Sequence, residues 1–381
     1  LRTLRKRKNV LTTVWLKVNI SLEIEELRKR IDQVDLELLK LLKERTKLAS
    51  EILEVKKKLG LPFKDVKREK EILERVKAKA IELSLDPTLT EDIFKRIIGL
   101  SMSFYRDISI AYLGPKGSFT EAAAMKFLNE ANVRYVPKPT IREVFRSVES
   151  GDVNMGVVPI ENSIEGSVNI TLDLLLDTPL KIYGEVELRV DHCLLVSPGS
   201  TMEDIRVIFS HPQAIAQCRA FLETVIPHAE IVEVNSTSKA AEIVRNLRGA
   251  AAIASEHTAS IYGLEVLAKS IQDYHDNYTR FIVLSLNEHP PTGFDKTSLI
   301  FSVPNKPGAL YNALEPFALK NVNLTKIESR PTRGKPWDYV FYMDMEGHKL
   351  DSNVKEAISE LEARASFLKV LGSYPMAKRR S

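Results

Sequence analysis

The 381-residue chain is short of cysteine, of net charge and of long apolar runs. Its two cysteines, Cys193 and Cys218, sit in no metal-ligand spacing, and two thiols cannot build a disulfide framework for a chain of this size. Such sparing use fits a reducing, cytoplasmic compartment. Net charge is +4, from 55 basic and 51 acidic residues. That balance argues against a nucleic-acid partner. The basic clusters Arg2–Lys8 and Lys378–Arg380 lie at the chain ends and read as solvated tails. No apolar run approaches the roughly 18 residues of a membrane span. Residues 1–20 lack the apolar centre and small-residue cleavage site of a signal peptide, and are expected to form a disordered basic tail. No membrane partner, metal or cofactor is implied.

What remains falls into three blocks. The first, residues 21–107, has almost no Gly or Pro. Apolar residues recur at Ile24, Leu27, Ile31, Val34, Leu38, Leu41, Leu48, Ile52, Val55 and Leu59, in alternating steps of three and four. This is a coiled-coil-like helical stripe. Ser21 is the expected N-cap, and Gly60 and Pro62 the stop. Such a helix cannot cover its own stripe, so partner helices, including another subunit's, are required. Two further helices are expected over about Asp65–Leu83 and Thr90–Tyr105. The second block, residues 108–286, alternates short apolar strands with helical stretches, an α/β pattern. Asn287–Lys296 reads as a linker, and the third block, residues 297–378, follows β-α-β-β-α-β order, as in ferredoxin-like folds.

Within the first stripe, position 45 calls for an apolar residue and carries Arg45. An arginine in a buried seam needs an anion, either a bundle carboxylate or a ligand. Arg28 and Lys56 flank the same face. The run Leu27–Asp35, with Leu41–Arg45, Lys56 and Asp65–Glu69, resembles the all-helical chorismate mutases. The resemblance implies that Arg28, reaching across a dimer, and Arg45 grip the carboxylates of chorismate. It gives Lys56 the breaking ether oxygen, and completes the site with Asp65, Arg68 and Glu69. The family carries a Ser and, four residues on, a Gln or Glu. Here Ser101 is in register and Tyr105 takes the later position. A tyrosine hydroxyl also donates to an ether, with a different reach. A unimolecular rearrangement needs only a held conformer and fixed cations near developing negative charge.

The second block carries polar clusters at strand ends: Gly114–Thr120, Pro159–Ser163, Ser210–Gln213 with Gln217, Ser236–Ser238 and Asn277–Phe281. The first precedes a helix, so its N–H groups can face an anion, but it lacks the nucleotide-binding glycine pattern. Singly, each reads as turn or cap. Together they resemble the prephenate dehydratases over the whole block. That resemblance implies two α/β lobes like those of a periplasmic binding protein, divided near residues 188–190 and 268–275. It makes Thr279 the acid toward the departing ring hydroxyl. It gives Asn162, Ser210, Gln217, Thr237 and Ser238 the task of positioning substrate oxygens, and Arg280 a carboxylate or the loop itself. His211 is an alternative acid.

In the third block, Gly308-Ala309-Leu310 opens a helix and Glu328-Ser329-Arg330-Pro331 ends a strand. Both resemble motifs of the ACT regulatory domain, where they form a phenylalanine site between paired domains. The whole chain therefore resembles bifunctional chorismate mutase/prephenate dehydratases with a C-terminal ACT domain. The expected fold is multidomain: all-α helices, a two-lobed α/β body and an α+β ferredoxin-like domain. The expected partners are chorismate, prephenate and L-phenylalanine, in a homodimer or higher homo-oligomer. The alternatives are a dehydratase with a vestigial mutase-like dimerisation domain, and a non-catalytic aromatic-acid sensor.

Overall fold

The computed structural model describes the backbone of residues 2–58, 66–102, 108–129, 133–331 and 339–377. The chain divides into an N-terminal helical unit and a larger unit holding residues 108–377.

The helical unit has α1 (Arg2–Lys58), α2 (Val66–Glu82) and α3 (Pro87–Met102). The expected disordered tail is instead helical from Arg2, and Ser21 lies inside α1 rather than capping it. The reason is local: residues 1–59 contain no Gly or Pro, and Arg, Lys and Leu are good helix formers. At ~1.5 Å per residue the helix is about 85 Å long. The expected stop at Gly60 and Pro62, and Leu59 of the stripe, lie outside the described residues. Helix α3 starts at Pro87, three residues earlier than expected. Proline is pre-shaped for the first helical turn, and the Asp86 carboxylate accepts from the N–H groups of Thr88 and Leu89. The stripe from Ile24 to Val55 is uncovered within one copy, with side chains 45–61% exposed.

The larger unit begins with a sheet built from β1 (Ser109–Leu113), α4 (Phe119–Phe127), β2 (Arg134–Lys138), α5 (Ile141–Glu149), β3 (Met155–Asn162), β4 (Gly166–Ser167), α6 (Asn169–Asp177) and β5 (Lys181–Arg189). A second sheet follows in β6 (Cys193–Val196), β7 (Val207–Ser210), α7 (Pro212–Gln217), α8 (Arg219–Val225), β8 (Glu230–Glu233), α9 (Thr237–Val244), β9 (Ala250–Ala254), α10 (Glu256–Tyr262) and β10 (Glu265–Ala268). The chain then returns to the first sheet as β11 (Tyr278–Ser285). The sheet orders are β2-β1-β3-β11-β5, with β4 on β3, and β10-β6-β9-β7-β8. Two lobes result, joined by the stretches after Arg189 and before Tyr278. These stretches pair, Val190 N–H donating to the Asn277 carbonyl at 2.8 Å.

The C-terminal domain has β12 (Asp295–Ser302), α11 (Ala309–Leu319), β13 (Leu324–Pro331), β14 (Tyr339–Glu346), α12 (Ser352–Arg364) and β15 (Phe367–Pro375), in the order β13-β14-β12-β15. Strand alternation divides its side chains. Leu299, Phe301, Met343 and Met345 pack under α11 and α12. Ile300, Val340 and Tyr342 join Val158, Leu172 and Ile282 of the first lobe in one core. Gly372 permits this contact, because a Cβ there would collide with the Ile182 carbonyl of β5. The linker is shorter than expected, since β12 already begins at Asp295.

Candidate active-site cleft

Between the lobes lies a cleft of ≈ 1050 Å³. Its walls carry Asn162 and Thr279 from the first lobe, Gln217, Thr237 and Ser238 from the second, and His192 and Asn277 from the stretches between them. The N-terminal ends of α4, α7 and α9 border it, as do Lys116, Lys138 and Lys239. Helix N-termini present unpaired N–H groups and positive potential. The cleft therefore favours an anionic ligand.

Thr279 owes its place to alternation on β11. Thr279 and Phe281 face the cleft, and Arg280 faces the other way. The Thr279 hydroxyl is 2.9 Å from Asn162 Nδ2. Which atom of Asn162 is nitrogen is settled by its backbone neighbours. Asn162 Oδ1 accepts from the N–H groups of Ile164 (3.0 Å) and Glu165 (3.1 Å). Nδ2 is thus the donor to Thr279, and also to Asn277 Oδ1 at 2.7 Å. Asn277 Nδ2 in turn donates to Gln217 Oε1 at 3.2 Å. Because Thr279 Oγ1 accepts, its own proton remains to be given into the cleft.

Two expected ligands are placed elsewhere. Ser210 is fully buried on β7, between β8 and β9, and donates to the Ile253 carbonyl at 2.7 Å. It closes a strand end and is not on the cleft wall. Arg280 reaches no substrate carboxylate. Its guanidinium donates to Glu185 (2.7 Å), to Asp344 (2.6 Å) and to the Tyr374 hydroxyl (3.0 Å), and so ties β11 to the C-terminal domain. Burial would raise the Asp344 carboxyl, but Arg280, Ser298 and Lys296 outweigh it and hold the group below the usual carboxylate range. His211 caps α7, its Nδ1 accepting from Gln213 N–H, which is a structural task. Ser238, by contrast, keeps a fully buried hydroxyl without a hydrogen-bond partner on the cleft wall.

The lobes also touch at the Gly114–Ser118 loop. The Glu121 carboxylate accepts from the Tyr112 hydroxyl (2.7 Å) and Gly117 N–H (2.6 Å), and lies 3.6 Å from His257 Nε2. Thr258 donates to the Gly117 carbonyl at 2.7 Å. No local motif marks Glu121, His257 or His192: Glu121 and His257 meet across 136 positions, and His192 meets Gln217 across 25.

In the helical unit, Arg45 is half-buried and donates to the Ile97 carbonyl of α3 at 3.2 Å. Arg28 is exposed and 3.7 Å from Glu25. The two arginines are 17 positions apart on one helix, roughly 25 Å. One copy therefore cannot close both on a single small molecule. Lys56 and Glu69 are half-buried and Arg68 exposed. Asp65, Tyr105 and the Ser101 side chain lie outside the described residues.

In the C-terminal domain, Gly308 stands before α11 at φ +78°, with nothing near a would-be Cβ. Its backbone conformation, rather than close approach, calls for glycine. Ala309 is buried and Leu310 partly so. On β13, Ser329 and Pro331 are exposed, whereas Glu328 and Arg330 turn to the first lobe. Glu328 bonds Ser167, Arg330 bonds Asn169 and lies 3.2 Å from Asp173. Lys326 links Ser167 (2.8 Å) and Glu161 (3.1 Å).

The sequence matches three family profiles: chorismate mutase type II over residues 27–105, prephenate dehydratase over 110–289 and ACT domain over 297–363. It is 47% identical over 358 residues to a bifunctional chorismate mutase/prephenate dehydratase of Aquifex aeolicus, covering 93% of this chain and 98% of that protein. A protein of the same name from Pseudomonas aeruginosa is 42% identical over 363 residues, with the same coverage. The crystal structure of prephenate dehydratase from Arthrobacter aurescens in complex with L-Phe is similar at 36% identity and a TM-score of 0.65, covering 71% of this chain and 90% of that one. A helical block, a two-lobed cleft and a β-α-β-β-α-β domain, in that order and at that identity over nearly the full length, place this chain in the family of bifunctional chorismate mutase/prephenate dehydratases with an ACT domain.

Proposed function

We propose that the helical unit rearranges chorismate to prephenate, that the cleft converts prephenate to phenylpyruvate, and that L-phenylalanine inhibits through the ACT domain. The working divisions are residues 21–107, 108–286 and 297–378. The observation that carries the dehydratase reading is Thr279. Its hydroxyl accepts from an amide of fixed orientation and so has a proton to give. In the reaction the ring carboxylate leaves as carbon dioxide. Its bonding electrons move through the ring, and the opposite C–O bond breaks. The Thr279 proton turns the departing hydroxide into water, and solvent returns a proton to Thr279. Aromatisation drives the step. A threonine donates only when desolvated and hydrogen-bonded; this one is hydrogen-bonded and half-buried, and bound substrate completes its desolvation. Gln217, Thr237 and the partnerless Ser238 hydroxyl bind substrate oxygens, while the helix N-termini and lysines hold the carboxylates.

In the mutase, Arg45 and Lys56 of one copy and Arg28 of a second enclose chorismate. The separation of Arg28 from Arg45 and the uncovered stripe of α1 both support a homodimer. Control by L-phenylalanine runs through Glu328 and Lys326, which engage Ser167 and Glu161 on the strands leading to and from Asn162. Two buried thiols fit a reducing cytoplasm.

Separate chorismate and prephenate assays, each with and without phenylalanine, test the reading. Both conversions are expected, with the second suppressed by phenylalanine. Thr279→Ala is expected to lower prephenate kcat by roughly 10²–10³-fold, while prephenate still binds and chorismate turnover is unchanged. An unimpaired variant would remove Thr279 as the acid.

A further inference from the structure

We propose that His192 is a positioning residue of the dehydration step, holding Gln217 and Asn277 in register with Thr279 as an imidazole whose proton is on Nε2. This rests on the dehydratase reading of the cleft. The chain of bonds starts at two backbone N–H groups. Ile164 and Glu165 donate to Asn162 Oδ1, which makes the other Asn162 atom the nitrogen. That nitrogen donates to Asn277 Oδ1, so the far atom of Asn277 is a nitrogen too. Asn277 Nδ2 donates to Gln217, whose facing atom must then be Oε1. The same Oε1 lies 2.9 Å from His192 Nε2. An oxygen can only accept, so His192 Nε2 carries the hydrogen. Each link forces the next, from rigid backbone to imidazole tautomer.

The seat of His192 is fixed on every side. Its N–H donates to Gln272 Oε1 at 2.9 Å, and its carbonyl accepts from Ile271 at 3.0 Å. Gln272 is anchored by Asp191 at 2.7 Å, and the Phe119 ring meets the imidazole edge-on at a centroid distance of 5.9 Å. The residue is 3% exposed. Its Nδ1 is buried with no partner, which a bare lone pair tolerates better than an N–H would. Burial lowers its pKa, the Gln217 bond opposing, so the ring stays neutral. With Oε1 of Gln217 taken by two donors, its Nε2 hydrogens are left for a substrate oxygen in the cleft. Without His192 the Gln217 amide loses one of the two bonds that orient it, and the set Gln217–Asn277–Asn162–Thr279 loosens.

The test compares two amides that copy different halves of the ring. His192→Gln places an N–H near Nε2, whereas His192→Asn places one near Nδ1. His192→Gln is expected to keep prephenate kcat within roughly threefold of the parent. His192→Asn is expected to lose roughly 10–100-fold, with KM changed less than about threefold. Equal kcat for the two variants, whether high or low, would overturn the proposal. On the unmodified protein, long-range ¹H–¹⁵N correlation of the His192 ring, assigned as the signal that persists when each of the other six histidines is replaced in turn, is expected to show the Nε2–H tautomer from about pH 6 to 9. An Nδ1–H signal would overturn the proposal even if neither variant folds. Parent enzyme that does not turn over prephenate would instead remove the dehydratase reading itself.

Discussion

Thr279 and Arg280 are chain neighbours with opposite duties, and the pleat of β11 separates them. Thr279 enters the cleft; Arg280 enters a buried cluster with Glu185, Asp344 and Tyr374. A buried guanidinium survives only while its carboxylates are present. Asp344→Asn should therefore destabilise the larger unit by about 3–5 kcal/mol at neutral pH, read from urea unfolding. The pH dependence has a definite sign. The Asp344 carboxyl is held below the usual range when folded, so it binds a proton more weakly than in the unfolded chain. Its contribution is present above the ordinary carboxylate pKa and is lost as pH falls through the folded value. The parent should lose stability on acidification in that range, and Asp344→Asn should lose less over the same interval. An equal acid slope in both proteins would show that Asp344 is not the titrating group.

Helices near the cleft begin well and one of them ends on a borrowed cation. Ser118, Thr140 and Ser236 each accept from an N–H in the first turn of α4, α5 and α9. Helix α6 has no glycine or basic residue at its C-terminus. Instead Lys369, from β15 of the C-terminal domain, donates to the carbonyls of Leu175 (2.9 Å), Leu176 (2.8 Å) and Thr178 (2.5 Å). Carbonyls at a helix end attract a cation. Lys369→Met keeps the stem and removes the charge. It should cost about 1–3 kcal/mol and lower the thermal midpoint of the larger unit. A midpoint within error of the parent would deny Lys369 this role.

The apolar stripe of α1 supports the proposed second chain. Side chains from Ile24 to Val55 are about half exposed in one copy, and a stripe of that length is unstable in water. Replacing both Ile31 and Leu38 with Glu should weaken self-association in sedimentation, leaving only the contacts between paired ACT domains. Chorismate turnover should fall at least about tenfold, by loss of a site that spans two copies. Prephenate turnover should stay within roughly threefold, because the cleft is complete in one chain. A variant that remains dimeric with full mutase activity would refute the shared site.

Periodicity and turn chemistry were enough to place most elements. Strands β7 and β9 fall on the residues expected, and the β-α-β-β-α-β order was legible from apolar runs alone. Local signals missed where they compete. Ser21 has the chemistry of an N-cap, yet nothing upstream breaks the helix, so α1 runs through it. The polar clusters of the cleft were visible as residue types at strand ends, and Asn162, Gln217, Thr237, Ser238 and Thr279 do meet there. Their orientation was not visible. A motif states which residues occur together, whereas alternation and packing decide which way each points. Hence Ser210 went to a strand carbonyl and Arg280 to the C-terminal domain. His192, Asn277 and Gln217 carry no shared local pattern, because their contacts span 25 and 60 positions. Chain periodicity reports what a residue does within a few turns of itself; only the closing of two sheets around a cleft brings such a set together.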